Sequence, residues 1–202
     1  MRRCRSPQAC GGIRAVLAVT GDHIAESDRG VVKPVFNISS TQFMTIISEM
    51  NKEVFADSPI LIGGAFNPDL KYAKSQLKRL EKKMECGATF FLTQPVYSAE
   101  NIDVIEEARS LGAKMLVGIM PLVSYRNASF LNNEVPGINI PQDIIERFSP
   151  NMTREESSAV GTEIAIELAK TYMTHADGFY FMTPFNRAEI VCDVINALPL
   201  KN

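Results

Sequence analysis

Polar residues stand where several apolar runs of this sequence end: Asp22, Asn67, Gln94, Ser124, Tyr125 and Thr183. Asp22 closes the stretch LAVTGD, and Gln94 lies in LTQP. A carboxylate, amides, hydroxyls and an aromatic ring can hold a flat heteroaromatic ligand, because an amide offers such a ring both a donor and an acceptor. The same set is poor at chemistry on its own, so a bound cofactor would have to carry a reaction. A second group is basic. Arg79, Lys82 and Lys83 recur at i, i+3 and i+4, on one helix face. Read from spacing alone, that face is a solvated amphipathic surface.

Other chemistries lack their residues. Neither Gly11-Gly12 nor Gly63-Gly64 supplies the G-x-G-x-x-G of a dinucleotide fold, and no P-loop occurs. No lysine ends an apolar run to serve as a Schiff-base nucleophile. Cys4, Cys10, Cys86 and Cys192 are scattered and the chain has only two histidines, so zinc-ligand spacing is absent. His23 and His175 have no nucleophile partner in the sequence. A net charge of −2 gives no reason to expect nucleic acid or an anionic membrane as partner. No apolar run reaches the roughly 18 residues of a membrane span. The basic start MRRCRSPQACGG has no apolar stretch behind it and does not read as a signal peptide. Four unclustered cysteines in 202 residues read as free thiols, which points to a reducing cytoplasm.

The elements that must position these residues alternate. Short apolar runs at Ala15–Asp22, Pro59–Pro68, Thr89–Tyr97, Lys114–Leu122 and Gly178–Phe185 read as strands covered on both faces. Between them, Thr41–Asn51, Lys74–Gly87 and Ala99–Gly112 space apolar residues at helical intervals. Two of these end in glycine, the residue that closes a helix in the left-handed conformation. The stretch TREESSAVGTEIAIELAKTYM opens with Thr153 and Glu156 at capping-box spacing. Strand and helix in alternation predict parallel βα units, in which ligands bind beyond the carboxyl ends of the strands. Residues 1–11 read as an irregular segment and 12–202 as one domain.

Four stretches, GIRAVLAVTGD, QLKRLEKKMECGATFFLTQPVY, GIMPLVSYRN and TPFNRAEI, together resemble the methylenetetrahydrofolate reductase family. The likeness is strongest to the bacterial branch in which this barrel follows a homocysteine methyltransferase domain, and NNEVPGI adds to it. It runs in order from about Gly12 to Leu198. The resemblance implies a (β/α)8 TIM barrel holding FAD, which passes hydride from NAD(P)H to 5,10-methylenetetrahydrofolate in one-carbon and methionine metabolism. No motif here separates NADH from NADPH. The chain is expected to be α/β and a partial barrel, approximately strands four to eight. The first three βα units would be absent, and with them the family's proton-donating glutamate and its threonine and histidine contacts to the flavin. The isolated chain is then expected to be inactive and to self-associate or bind a chain that supplies the missing strands. The alternative is a non-catalytic partial barrel.

The resemblance also distributes roles. Asp22 falls on the aspartate beside the flavin and the folate; read from the residues alone, it could equally cap a turn. Thr20 and Gly21 fall where backbone approaches the flavin, while His23 reads as a solvated loop residue. Gln94 falls on the glutamine that hydrogen-bonds the pterin. Tyr125 aligns with an aromatic that stacks on substrate in some members, or is a bland exposed tyrosine. Lys82 and Lys83 occupy the basic pair that holds the flavin pyrophosphate. Arg79 shares their face but, like Gln76, departs from the family residue. Phe66 stands where an aromatic lies near the adenine, or packs in the core. FNRAE (Phe185 to Glu189) reads as structural, with Asn186 available as a helix cap.

Overall fold

The computed structural model describes residues 12–20, 31 and 37–199. Five strands alternate with seven α-helices among them: β1 (Ala15–Ala18), α1 (Ser40–Glu53), β2 (Leu61–Phe66), α2 (Ala73–Glu85), β3 (Phe90–Pro95), α3 (Ile102–Ser110), β4 (Lys114–Ile119), α4 (Tyr125–Glu134), α5 (Gln142–Glu146), α6 (Arg154–Tyr172), β5 (Gly178–Phe181) and α7 (Ala188–Asn196). All five expected strands form, each shorter than its apolar run.

Local signals set the helix boundaries. At α6 the Thr153 hydroxyl accepts the Glu156 N–H at 3.2 Å, and the Glu156 carboxylate accepts the Thr153 N–H at 2.8 Å. This reciprocal box satisfies donors that the first turn leaves unpaired. Ser39 and Gln42 make the same box at α1. Gly87 and Gly112, at φ of 101° and 98°, follow α2 and α3 in the left-handed region expected of helix-closing glycines. Three features differ from the sequence reading. The helix expected over 99–112 begins as a 3-10 turn at Ala99–Asn101. Helices α4 and α5 fill a stretch with no strong apolar period. Asn186 does not cap α7: its φ is 58°, and Arg187 holds the cap position without a side-chain bond.

The chain forms two compact units. In the first, Met1–Ala65 with Lys78–Phe91, β1 pairs in parallel with β2, Ala15 opposite Leu61 and Ala18 opposite Gly64. The Thr89 N–H donates to the Ile62 carbonyl at 2.8 Å, so the start of β3 lies beside β2. Met44 and Ile47 of α1 pack into a core with Ile62, Leu80 and Phe91. Gly64 lets this layer close, since a Cβ there would meet Phe91 and Met44 at 3.0 and 3.1 Å. On the other face Leu17 and Leu61, with Val19 just past β1, are 40%, 55% and 55% exposed.

In the second unit, Phe66–Leu77 with Leu92–Asn202, β4 pairs in parallel with β5 from Leu116 opposite Gly178 to Ile119 opposite Phe181. The Val96 N–H donates to the Gly118 carbonyl at 3.2 Å, so the end of β3 runs beside β4. Met115, Val117 and Ile119 alternate into a core with Ile105, Ala108, Ile164 and Ala165. Gly161 brings α6 against the backbone at Leu122, where a Cβ would sit 1.7 Å from the carbonyl oxygen. At the amino end of β4, Asp177 accepts from the Met115 N–H, Arg109 and Lys114 at 3.0, 3.2 and 3.1 Å. Burial alone would push this carboxyl up, but those three partners outweigh it and hold its pKa below the usual range.

Candidate functional site

The carboxyl ends of β2 and β3 lead into the loops that line a cavity of about 380 Å3 in the second unit. The loop after β2 contributes Asn67, Asp69 and Lys71; β3 and its loop contribute Gln94, Ser98, Glu100 and Asn101. Gly137 and Asn139, beyond α4, complete the lining. Turn chemistry sets each piece. The Asp69 carboxylate accepts the Lys71 N–H at 2.9 Å and opens a 3-10 turn. Gly137 takes a φ of 86°, and a Cβ there would approach Asn67 Nδ2 to 3.0 Å. The positive φ is what favours glycine here. Below the loops, the buried Tyr97 hydroxyl donates to the Met120 carbonyl at 3.0 Å, and Tyr172 donates to the Ser98 carbonyl at 2.6 Å. Burial pushes both phenols above the ordinary tyrosine range, so they remain donors.

The lining is mostly neutral and hydrogen-bonding. Asn67, Gln94, Asn101 and Asn139 each offer a donor and an acceptor, flanked by the Asp69 and Glu100 carboxylates and by Lys71. Pro68, Pro95 and Ile138 supply apolar surface. Such a set can hydrogen-bond the edge of a polar heterocycle by complementarity. Among the described residues no cluster of His, Cys, Asp and Glu could hold a metal ion.

The structure brings only some of the anticipated residues together. Gln94 and Asn67 share the cavity. Tyr125 does not: it is 41% exposed and lines a separate, shallow depression with Arg126 and Phe130. Ser124 caps α4, its hydroxyl accepting the Asn127 N–H at 3.1 Å. Phe66 is 3% exposed, in the core of its unit. In the first unit Arg79 and Lys82 are exposed, while Lys83 is partly buried and donates to the Ala65 carbonyl. Burial, then the neighbouring Arg79 charge, lower the Lys83 pKa. Arg79 and Lys82 thus present solvated charge, while the Lys83 ammonium is already engaged by the backbone. The Thr20 hydroxyl is 3.4 Å from that of Ser40. Gly21, Asp22 and His23 lie outside the described residues.

Asp69, Ser98, Glu100, Asn101, Gly137 and Asn139 were not singled out from the sequence. The turn-forming pairs Asn67-Pro68 and Pro136-Gly137 are the signals that could have found their loops. At the end of β5, Phe185 and Asn186 are consecutive non-glycine residues at positive φ, and Phe185 is 76% exposed. Arg187 donates to the Ser158 hydroxyl at 2.9 Å, in keeping with a structural FNRAE.

Parallel strands alternating with helices define an α/β protein, consistent with a TIM-barrel-like fold. The family model for methylenetetrahydrofolate reductase matches residues 7–199, and the chain belongs to that family. It is 24% identical over 198 residues to 5,10-methylenetetrahydrofolate reductase of Escherichia coli, covering 93% of this chain and 62% of that enzyme. It is 28% identical over 148 residues to methylenetetrahydrofolate reductase 2 of Saccharomyces cerevisiae, covering 67% of this chain and 24% of that one. The chain thus spans about a quarter of the yeast relative and less than two thirds of the bacterial one. In fold it is similar to an uncharacterized Clostridium thermocellum protein described as binding two copies of 5-methyl-5,6,7,8-tetrahydrofolic acid. That likeness has a TM-score of 0.53 at 17% identity and covers 91% of this chain and 70% of the other.

Proposed function

We propose that this chain is the folate-binding portion of a flavin-dependent reductase that converts 5,10-methylenetetrahydrofolate to 5-methyltetrahydrofolate with NAD(P)H. One observation carries the reading: Gln94, in the family's position for the pterin-binding glutamine, lines a cavity with three further amides. A pterin edge alternates donors and acceptors, and side-chain amides match both. FAD, when bound, supplies the hydride transfer. Arg79, Lys82 and Lys83 would hold its pyrophosphate, and Thr20, Gly21 and Asp22 would lie near its ring. There the Asp22 carboxylate would oppose negative charge on the reduced ring and bind folate. Phe66 would support the adenine pocket from the core, while Tyr125, outside the Gln94 cavity, is given no substrate role.

The fit to a partial barrel, strands four to eight, is part of the same proposal. On that reading the family's proton-donating glutamate belongs to the units before strand four, and a positioned acid is worth about 10² to 10⁴-fold. Turnover by the pure chain is therefore expected to be negligible. A second reading, a non-catalytic partial barrel completed by another chain or copy, draws support from the exposed Leu17, Val19 and Leu61. Among the described residues no helix is long and apolar enough to cross a membrane, and Cys86 and Cys192 are unpaired. The two free thiols fit a reducing compartment such as the cytoplasm.

The deciding experiment purifies the chain, scans its absorbance for flavin, and titrates it with 5-methyltetrahydrofolate. Flavin and folate binding without turnover supports the reductase portion. Binding of neither, with self-association, supports the non-catalytic barrel. Ordinary turnover by the chain alone overturns the assignment of the missing acid.

A further inference from the structure

Gln94 stands in an unusual stretch of backbone. Pro95 follows it, so the next peptide has no N–H to give to a neighbouring strand, and a residue before proline is confined to extended conformations. Two side-chain hydroxyls act on the peptide groups around it. Thr93, 2% exposed, accepts the Gly118 N–H at 3.0 Å and donates its hydroxyl to the Gln94 carbonyl at 2.7 Å. The Tyr180 hydroxyl, on β5, donates to the Thr93 carbonyl. Tyr180 reaches that oxygen across β4 at Gly118, where a Cβ would stand 2.7 Å from the phenol oxygen.

The geometry has a direct consequence. The Thr93 carbonyl belongs to the peptide on the amino side of Gln94, and the Gln94 carbonyl to the peptide on its carboxyl side. Holding both planes holds φ and ψ of Gln94, and with them the direction in which its side chain leaves the strand. We infer that Thr93 and Tyr180 are positioning residues for Gln94, aiming its amide into the cavity through hydroxyl bonds to the two peptides that flank it. This rests on the reading of Gln94 as a pterin-binding group. A side-chain amide left free to rotate loses affinity to the entropy of ordering it, so a fixed backbone sharpens recognition without touching the ligand.

The test is a double-mutant cycle read as affinity for 5-methyltetrahydrofolate, on the 202-residue chain. Q94A is expected to weaken binding about tenfold and Y180F about three- to tenfold, the range of one hydrogen bond. The pair Q94A/Y180F should bind no worse than Q94A alone, because Tyr180 acts only through Gln94. Losses that multiply in the double variant would overturn the inference. No binding by the wild type, or an unchanged Q94A, would instead overturn the ligand role of Gln94. A ligand-free measurement keeps the two apart. In amide NMR spectra, Y180F should shift the Gln94 side-chain resonances while Gly118, whose N–H the Thr93 hydroxyl accepts, stays protected from hydrogen exchange. T93S should preserve both signals and T93V should not. Gln94 resonances unmoved in Y180F and T93V would overturn the inference whatever the affinities.

Discussion

The Lys83 ammonium donates to the carbonyl oxygen of Ala65, 2.5 Å away, near the carboxyl end of β2. Burial and then the Arg79 charge favour its neutral form. An anion beside it should restore the charge. In a side-chain NMR titration, Lys83 is expected to lose its proton below the ordinary lysine value of about 10.4, and ADP should move the midpoint upward. Linkage fixes the sign for stability: between the two pKa values the unfolded chain binds more protons, so stability rises with pH in that window. Lys83→Met should remove both the ADP effect and that rise. An unchanged Lys83 midpoint at saturating ADP would dismiss the pyrophosphate role.

Gly161 gives a prediction of opposite sign to its local preference. In an exposed helix interior, Gly→Ala gains about 1 kcal/mol. In α6 the new methyl would sit 1.7 Å from the Leu122 carbonyl oxygen, and backbone cannot yield as a flexible side chain does. Gly161→Ala should cost about 1 to 3 kcal/mol, the range for overpacking. Denaturant unfolding reads it; a more stable variant would refute the close approach of α6.

Asp177 ties the amino end of β4 to Arg109 and Lys114. Its pKa is held below the ordinary carboxylate range, so the stability it contributes is present above about pH 4, the unfolded value. That stability is lost as pH falls through the folded value. Asp177→Asn should lower stability at neutral pH by about 1 kcal/mol after allowing for solvent screening. The gap between variant and wild type should close in acid. A gap that persists at low pH would mean that the charge is not what matters.

The exposed Leu17, Val19 and Leu61 predict association. Light scattering of the purified chain should show species larger than a monomer. Leu61→Gln should weaken that association about tenfold or more, since a fully buried leucine is worth about 1.5 to 3 kcal/mol. A wild type that stays monomeric at high concentration would exclude this face as a contact.

What the sequence by itself determined is local. The βα alternation, the Thr153–Glu156 box and the closing glycines Gly87 and Gly112 depend on residues a few positions apart, and all were readable from spacing. Gln94 at a strand end was readable for the same reason. Helices α4 and α5 were not, because YRNASFLNNE and QDIIE present too little apolar periodicity to compete with a loop reading. Tertiary structure decided the rest. Gly161 in mid-helix looks like a weakness until the Leu122 carbonyl occupies the space of its missing methyl. Asp69, Glu100 and Asn139 become neighbours of Gln94 only when three loops converge. The partners of Thr93 lie 25 and 87 residues along the chain, at Gly118 and Tyr180. Contacts at such separations leave no periodicity in the sequence; they arise when parallel strands are laid side by side, because pairing fixes which residues face each other.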